Sequence, residues 1–207
     1  LALPPEAVDP AASGAARFAR RYGFREKPLR LRVRFLDPDK DAGWIPGADD
    51  TDYGLTQDAF ARLMPAAQRV FITENETNFL AFPPTADSLV VFGAGYGFDA
   101  LAQAAWLHRC ALHYWGDIDT HGFAILDRAR AYVPHIQSLL MDEATLLAHQ
   151  PLWGREDRPS SAESLTRLTP EEHALYDGLR SQRWGHSVRL EQERIACILD
   201  EYLAALE

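Results

Sequence analysis

The run from Ala111 to Trp115, ALHYW, is short, almost wholly apolar and ends abruptly at Gly116. Such a run is typical of a strand covered on both faces, as in a parallel sheet flanked by helices. Two carboxylates separated by one residue, Asp117 and Asp119, follow directly. Because ligands bind beyond the carboxyl ends of strands in open parallel sheets, the acidic pair is predicted to lie at a functional edge.

Two carboxylates so close together repel each other unless something positive lies between them. A divalent cation would supply that charge, because hard cations take oxygen ligands. The alternative interpretation is a solvated turn in which Asp119 caps the next helix. An isolated D-x-D pattern does not decide between the two.

Short apolar runs alternate with helical patterns along most of the chain. Strands are predicted over 29–35, 70–73, 88–92, 110–115 and 136–141. Helices are predicted over 11–21, 56–63, 99–109, 123–132, 143–149, 169–183 and 190–206, with loops over 37–52 and 151–165. The alternation predicts an α/β fold with a mostly parallel sheet flanked by helices.

The first predicted strand places Arg30, Arg32 and Arg34 on one face, between apolar residues. A period of two indicates a half-buried strand. The arginine face is interpreted either as a solvated edge or as a phosphate contact.

Three predicted strand ends carry unusual residues. Glu74 follows the strand over 70–73, glycines at 93, 95 and 97 follow the next, and the Asp pair follows the third. In a parallel sheet these ends share one edge, so Glu74, Asp117 and Asp119 are predicted to bind Mg²⁺ or Mn²⁺ of the kind used in phosphoryl chemistry. The glycines indicate either close approach to a phosphate or a tight strand-to-helix turn.

Two other enzyme classes use D-x-D. A phosphatase of the haloacid dehalogenase type needs a later Lys, and no Lys follows Lys40. A sugar-nucleotide glycosyltransferase would leave Glu74 without a role.

Composition limits the function classes further. The 207-residue chain has a formal net charge of −9, which argues against nonspecific coating of nucleic acid but not against a metal-dependent enzyme with a local basic patch. No apolar run approaches the ~20 residues of a membrane helix, and the start, LALPPEAVDP, lacks both the basic region of a signal peptide and an initiator Met. The missing Met predicts a fragment of something longer. Two cysteines in apolar settings, Cys110 and Cys197, favour a cytoplasmic protein.

A Glu after one strand and D-x-D after a later one is similar to the Toprim pattern of topoisomerases, primases and related nucleases. The strings FITENETNFLAFP, VFGAGYG, YWGDIDTHGFAIL, SLLMDEATLLAH and RLEQERI more specifically resemble the C-terminal domain of the JetD family, the nuclease subunits of Wadjet anti-plasmid systems. The resemblance covers roughly residues 29–207, which would form the catalytic domain. Residues 1–28 would be the tail of a preceding arm or linker.

This resemblance implies a Toprim-like fold with an N-terminal strand extension and C-terminal helices. It also implies a metal-dependent DNA endonuclease that acts as a homodimer with an SMC-type complex on closed circular plasmid DNA. One alternative is a non-catalytic docking module of the same complex. The other is a topoisomerase-like Toprim domain, although hydrolysis by metal-activated water is the simpler mechanism for this chain.

Residue roles carry over from the resemblance position by position. Glu74 matches a metal ligand or general acid/base, and Asp117 and Asp119 match metal ligands. The string RLEQERI, taken as the start of the last helix, adds further candidates, as does a histidine near the Asp pair. These candidates are Glu191 and Glu193 as second-metal ligands, Arg189 and Arg194 as phosphate contacts, and His121 to orient water or contact DNA; Glu76 is close enough in sequence to reach the site.

Overall fold

A computed structural model describes residues 8–9, 11, 17–24, 28–37, 51–92, 98–161 and 164–204 of the chain. Its main sheet contains β1 (Arg30–Phe35), β2 (Asp52–Thr56), β3 (Arg69–Thr73), β4 (Ser88–Phe92), β5 (Ala111–Trp115) and β6 (Gln137–Ser138). The strand order is β2-β1-β4-β3-β5-β6. The pairs β3–β4, β3–β5 and β5–β6 are parallel, whereas β1 runs antiparallel to both β2 and β4.

Helices follow most strands, as expected for this class of fold. They are α1 (Phe18–Arg21), α2 (Gln57–Ala61), α3 (Glu76–Ala81), α4 (Phe98–Gln103), α5 (Thr120–Tyr132), α6 (Glu143–Ala148), α7 (Pro170–Arg180) and α8 (Leu199–Ala204). Short 3₁₀ turns cover 105–109, 150–152, 192–194 and 196–198. A small antiparallel pair, β7 (Gly154–Arg155) with β8 (Val188–Arg189), lies outside the main sheet.

Both faces of the central strands are buried. Successive residues of a strand point to opposite faces, so Val70 and Ile72 of β3 join one apolar cluster while Phe71 joins the other. Tyr114 and Trp115 of β5 divide in the same way. A mostly parallel sheet covered on both sides confirms the predicted α/β class and is consistent with a Toprim-like fold.

Local capping signals correctly located the starts of α2, α6 and α7. Thr56 accepts a hydrogen bond from the Ala59 backbone N–H (3.3 Å), and Asp142 accepts one from that of Thr145 (2.7 Å). Thr169 forms a complete capping box with Glu172 at the start of α7. Within the ranges the structure covers, no helix is long and apolar enough to cross a bilayer.

The largest error in the predicted elements concerns residues 190–206. The apolar spacing there predicts one amphipathic helix, but the chain forms two 3₁₀ turns before α8 begins at Leu199. Leu190 forms a β-bridge with Ile118 instead, because main-chain pairing to the end of β5 overrides the local helical preference.

The bounds of several other elements also differ from the prediction. The strand predicted over 136–141 is only β6, and the helix predicted over 99–109 becomes α4 followed by a 3₁₀ turn. β2 begins at Asp52, in a region assigned to a loop, because it pairs with β1 along its whole length. Of the helix predicted over 11–21 the structure describes α1, and the glycine turn at 93–97 lies outside the described residues.

Candidate active site

Two neighbouring strand ends bring the predicted acidic residues together. β3 and β5 are adjacent and parallel, and Thr73 pairs with Trp115 in their register. Glu74 therefore leaves the sheet beside Gly116 and Asp117. Glu74 is near enough to Asp117 and Asp119 for their negative charges to raise the pKa of its carboxyl.

Gly116 makes the close approach of Glu74 possible. A Cβ at this position would overlap Oε1 of Glu74 and lie 2.5 Å from the hydroxyl of Tyr114. Both of these buried oxygens lack a hydrogen-bond partner among the described residues. Any side chain at position 116 would therefore displace the strand-end groups.

Gly122 makes a second close approach possible, between α5 and the acidic loop. A Cβ at Gly122 would overlap the carbonyl oxygen of Asp117. Asp119 accepts a hydrogen bond from the Gly122 backbone N–H (2.7 Å) and so caps α5. The capping part of the alternative interpretation is thus correct, but Asp119 is buried and not solvated. The cap holds its side chain at the edge of the centre.

Arg189 places its guanidinium among the carboxylates. Its Nη2 donates a hydrogen bond to Oδ2 of Asp117 (2.7 Å) and lies 3.6 Å from Oε1 of Glu191. Its Nε lies 3.4 Å from Oδ2 of Asp119, close enough for an ion pair but not aligned for a hydrogen bond. Arg189 is at the end of β8, and Leu190 exchanges two backbone hydrogen bonds with Ile118 (3.0 and 3.1 Å), which fixes β8 against the acidic loop.

The centre carries more negative charge than Arg189 balances. Burial, reinforced by the charges of Asp117 and Asp119 and opposed by Arg189, raises the pKa of Glu74 to about 8. Burial also raises the pKa of Asp119 to about 6, with Glu156 and Asp117 adding to the rise and the Gly122 N–H opposing it. The pKa of Arg189 is itself raised, because its carboxylate partners outweigh burial.

The donor set fits a hard divalent cation in its chemistry. Carboxylate oxygens are the preferred ligands of Mg²⁺ and Mn²⁺, and Glu74 Oε1 is a buried acceptor without a partner. Within the described ranges, no three His, Cys, Asp or Glu side chains are arranged around one point as metal ligands. In this arrangement the guanidinium of Arg189 supplies the positive charge between Asp117 and Asp119.

Gln192 connects the C-terminal segment to the site, although no local pattern singles it out. Its backbone N–H donates to Oδ1 of Asp117 (3.1 Å), and its side chain is fully buried. The side-chain amide accepts a hydrogen bond from the Trp115 indole (2.7 Å) and donates one to the Leu140 carbonyl (2.9 Å). One residue therefore anchors Asp117 and joins it to the core.

The other candidates of the segment 189–195 lie around the rim. Glu191 pairs with Arg194 (2.8 Å) as well as with Arg189. Glu193 accepts a hydrogen bond from the Asn75 side chain (2.7 Å), next to Glu74. Glu191 thus reaches the acidic centre through Arg189, while Glu193 and Arg194 remain exposed beside it.

The contacts of His121 and Glu76 are with residues other than the three carboxylates, although His121 lies 3.9 Å from Glu156. The exposed ring of His121 contacts the carbonyl of Arg158 (2.7 Å). Glu76 forms an ion pair with Arg32, which also binds Asp52. The arginine face of β1 therefore has protein partners, since Arg34 donates to two backbone carbonyls at the end of α3.

Glu156 is a second residue that the sequence did not single out. It is buried, and Oε1 accepts a hydrogen bond from the Thr120 hydroxyl (2.6 Å) behind Asp119. The sequence predicts a polar loop over 151–165, and no local pattern distinguishes one carboxylate there from its neighbours. Only the pairing of β7 with β8 reveals its place.

Comparison with known proteins identifies the family. None of the curated proteins compared with the chain matches it. The family described as "Wadjet protein JetD, C-terminal" matches residues 23–201, which include the main sheet, the three carboxylates and the segment that carries Arg189. The match begins within residues 1–28, the stretch that the sequence assigns to a preceding region. The chain belongs to this family, the C-terminal region of the Wadjet protein JetD.

Proposed function

We propose that this domain is a Mg²⁺- or Mn²⁺-dependent endonuclease that hydrolyses phosphodiester bonds of plasmid DNA within a Wadjet system. The observation that carries the proposal is the convergence of Glu74, Asp117 and Asp119 at two neighbouring strand ends. Structural acids are normally paired, whereas this centre retains a buried, unpartnered carboxylate oxygen. Membership in the family supports a role in a multi-subunit system.

Asp117 and Asp119, with Glu74, would hold the cation. A bound divalent cation lowers the pKa of water and neutralises charge on phosphoryl oxygens. Glu74 would take the proton of the attacking water at its carboxylate. The new oxygen–phosphorus bond forms as the bond to the sugar oxygen breaks, and the leaving sugar oxygen takes a proton from solvent. The guanidinium of Arg189 lies beside Asp117 and is half-exposed, so it is a candidate contact for a DNA phosphate.

Hydrolysis is favoured over transfer of the DNA to a tyrosine. Tyr114 is the described tyrosine nearest to the centre, and its ring is fully buried in β5. A DNA phosphate cannot reach a hydroxyl that is enclosed beneath Gly116 and Glu74. A product that stays covalently attached to denatured protein would favour the topoisomerase-like alternative.

The test is cleavage of supercoiled plasmid by the chain, alone and with the SMC-type complex of the same system, in Mg²⁺, Mn²⁺ or EDTA. We expect nicked or linear product with either metal and none with EDTA. Glu74→Ala should abolish cutting, because it removes both a ligand and the proton acceptor. Glu76→Ala is the matched control and should retain activity, since Glu76 pairs with Arg32 on the surface.

Two results would contradict the proposal. Undiminished cleavage by Glu74→Ala would remove this centre from the chemistry. Absence of cleavage under every condition, with the complex present, would instead support a docking module without catalytic activity.

A further inference from the structure

Arg189 occupies the place in the acidic centre where a metal ion would be expected. Its guanidinium contacts one oxygen each of Asp117 and Asp119, and the same two carboxylates are the principal candidate ligands. A cation that binds both side chains must therefore share these oxygens with Arg189 or replace it.

The contacts of Arg189 are uneven. The hydrogen bond to Asp117 is short (2.7 Å), but Nε faces Asp119 at 3.4 Å without hydrogen-bond alignment and has no other partner among the described residues. Glu191 does not depend on it, because Arg194 lies closer (2.8 Å against 3.6 Å). One good contact and one poor one make the guanidinium replaceable.

Solvent is available to the displaced side chain. Arg189 is 40% exposed, so it can swing outward without burying its charge. Asp117 and Asp119 are held independently by the backbone N–H groups of Gln192 and Gly122. The carboxylates therefore keep their positions when the arginine leaves.

We propose that Arg189 is an internal counter-ion that bridges Asp117 and Asp119 in the metal-free protein and is exchanged for a divalent cation when the metal binds. Exchange frees the guanidinium at the rim of the site, where a DNA phosphate is its natural partner. Metal and DNA then strengthen each other's binding, because each favours the state with Arg189 turned outward. The metal half stands on the geometry above, whereas the DNA half rests on the proposed function.

Calorimetric titration with Mn²⁺ in the absence of DNA tests the exchange. Arg189→Gln removes the competing charge, and we expect Mn²⁺ to bind about tenfold more tightly than to the wild type. Arg167→Gln is the control, because Arg167 has similar exposure (47%) and pairs with a carboxylate, Asp127, outside the centre. It should leave the affinity for Mn²⁺ unchanged. An Arg189→Gln affinity equal to or weaker than that of the wild type would overturn the proposal.

A second measurement uses the wild type and does not depend on the folding of a variant. In ¹⁵N-labelled protein, the Nε–H signal of Arg189, assigned with Arg189→Lys, should shift towards that of a solvated arginine as Mg²⁺ is added. A signal that does not change at saturating Mg²⁺ would contradict the exchange. Because neither experiment measures cutting, a protein that binds metal in this way but does not cleave DNA would refute the proposed function and leave the metal half of this inference intact.

Discussion

At the scale of single residues, Glu74 links the charge of the centre to stability. Its pKa rises from the ordinary 4.5 to about 8 on folding, mainly through burial, so between these values the folded state holds a proton that the unfolded state has lost. Stability must then fall as pH rises through this window. The raised pKa of Asp119 also makes stability fall as pH rises, but only up to about pH 6.

The melting temperature of the metal-free protein in EDTA should therefore decrease between pH 6 and 8. Glu74→Gln, which has no charge to develop, should show a flatter profile over the same range. Glu76→Gln should keep the slope of the wild type, because Glu76 lies at the surface with Arg32. Parallel profiles for the wild type and Glu74→Gln would show that Glu74 does not titrate in this window.

Gly116 allows a second residue-level prediction. In Gly116→Ala the new methyl group overlaps Glu74 Oε1 and crowds the Tyr114 hydroxyl, so the strand end must shift. We expect a loss of about 1–3 kcal/mol in the free energy of unfolding, typical of overpacking, together with weaker Mn²⁺ binding. Urea unfolding and calorimetry measure the two effects. Gly54→Ala in β2, where no atom lies within 4 Å of the added carbon, should change neither.

Residue chemistry explains which parts of the site could be predicted. Asp117 and Asp119 stand out because acids directly after an apolar strand have a restricted position in a parallel sheet. Gln192 does not stand out, because its structural role depends on hydrogen bonds to Trp115 and Leu140, which are far away in sequence. The sequence predicts Arg189 only as a phosphate contact. Its place between the carboxylates follows from the pairing of β8 with β7 and of Leu190 with Ile118, which no local pattern encodes.

At the scale of elements, the 3₁₀ turn at 192–194 is fixed to the sheet by one buried side chain. Gln192→Ala leaves the Trp115 indole N–H and the Leu140 carbonyl without their partner, and each buried unpaired group is unfavourable. We expect a loss of about 3 kcal/mol in the free energy of unfolding and a change in tryptophan fluorescence.

The control for Gln192 is Gln137→Ala, because Gln137 is exposed on β6. It should alter stability by no more than roughly 0.5 kcal/mol. A Gln192→Ala protein as stable as this control would mean that the segment is held by its backbone bridge alone.

Elements with local signals were predicted well, and elements without them were not. The starts of α2 and α7 follow from Thr56 and Thr169, whose side chains satisfy backbone N–H groups within three residues. The prediction of one helix over 190–206 was wrong. The apolar residues there repeat at helical spacing, but Leu190 pairs with Ile118. β2 was missed because the half-buried run from Asp52 to Thr56 becomes a strand only through its partner β1.

At the scale of the whole molecule, a domain that cuts both strands of a duplex requires two sites or one that acts twice. The resemblance implies two sites in a homodimer. Light scattering at micromolar concentration should therefore give about twice the chain mass of 23.2 kDa. A strict monomer would assign the interface to a region outside this chain.

The overall class was accessible from the sequence, whereas the arrangement was not. Alternating strands and helices fix the layers, because each sheet face must be covered. Strand order depends on contacts among all the strands at once, and the antiparallel insertion of β1 beside β4 has no counterpart in the local pattern.

The bridge between Ile118 and Leu190 joins two segments that the ribosome synthesises at different times. Arg189 and Asp117, which form the short ion pair, are 72 residues apart in the chain. A ribosome has therefore released β3, β4 and β5 long before it adds the arginine and glutamine that fix the acidic loop. Until then the nascent polypeptide lacks both the anchor of Asp117 and the counter-charge of the three acids. The acidic centre can therefore assemble only after most of the domain has been synthesised.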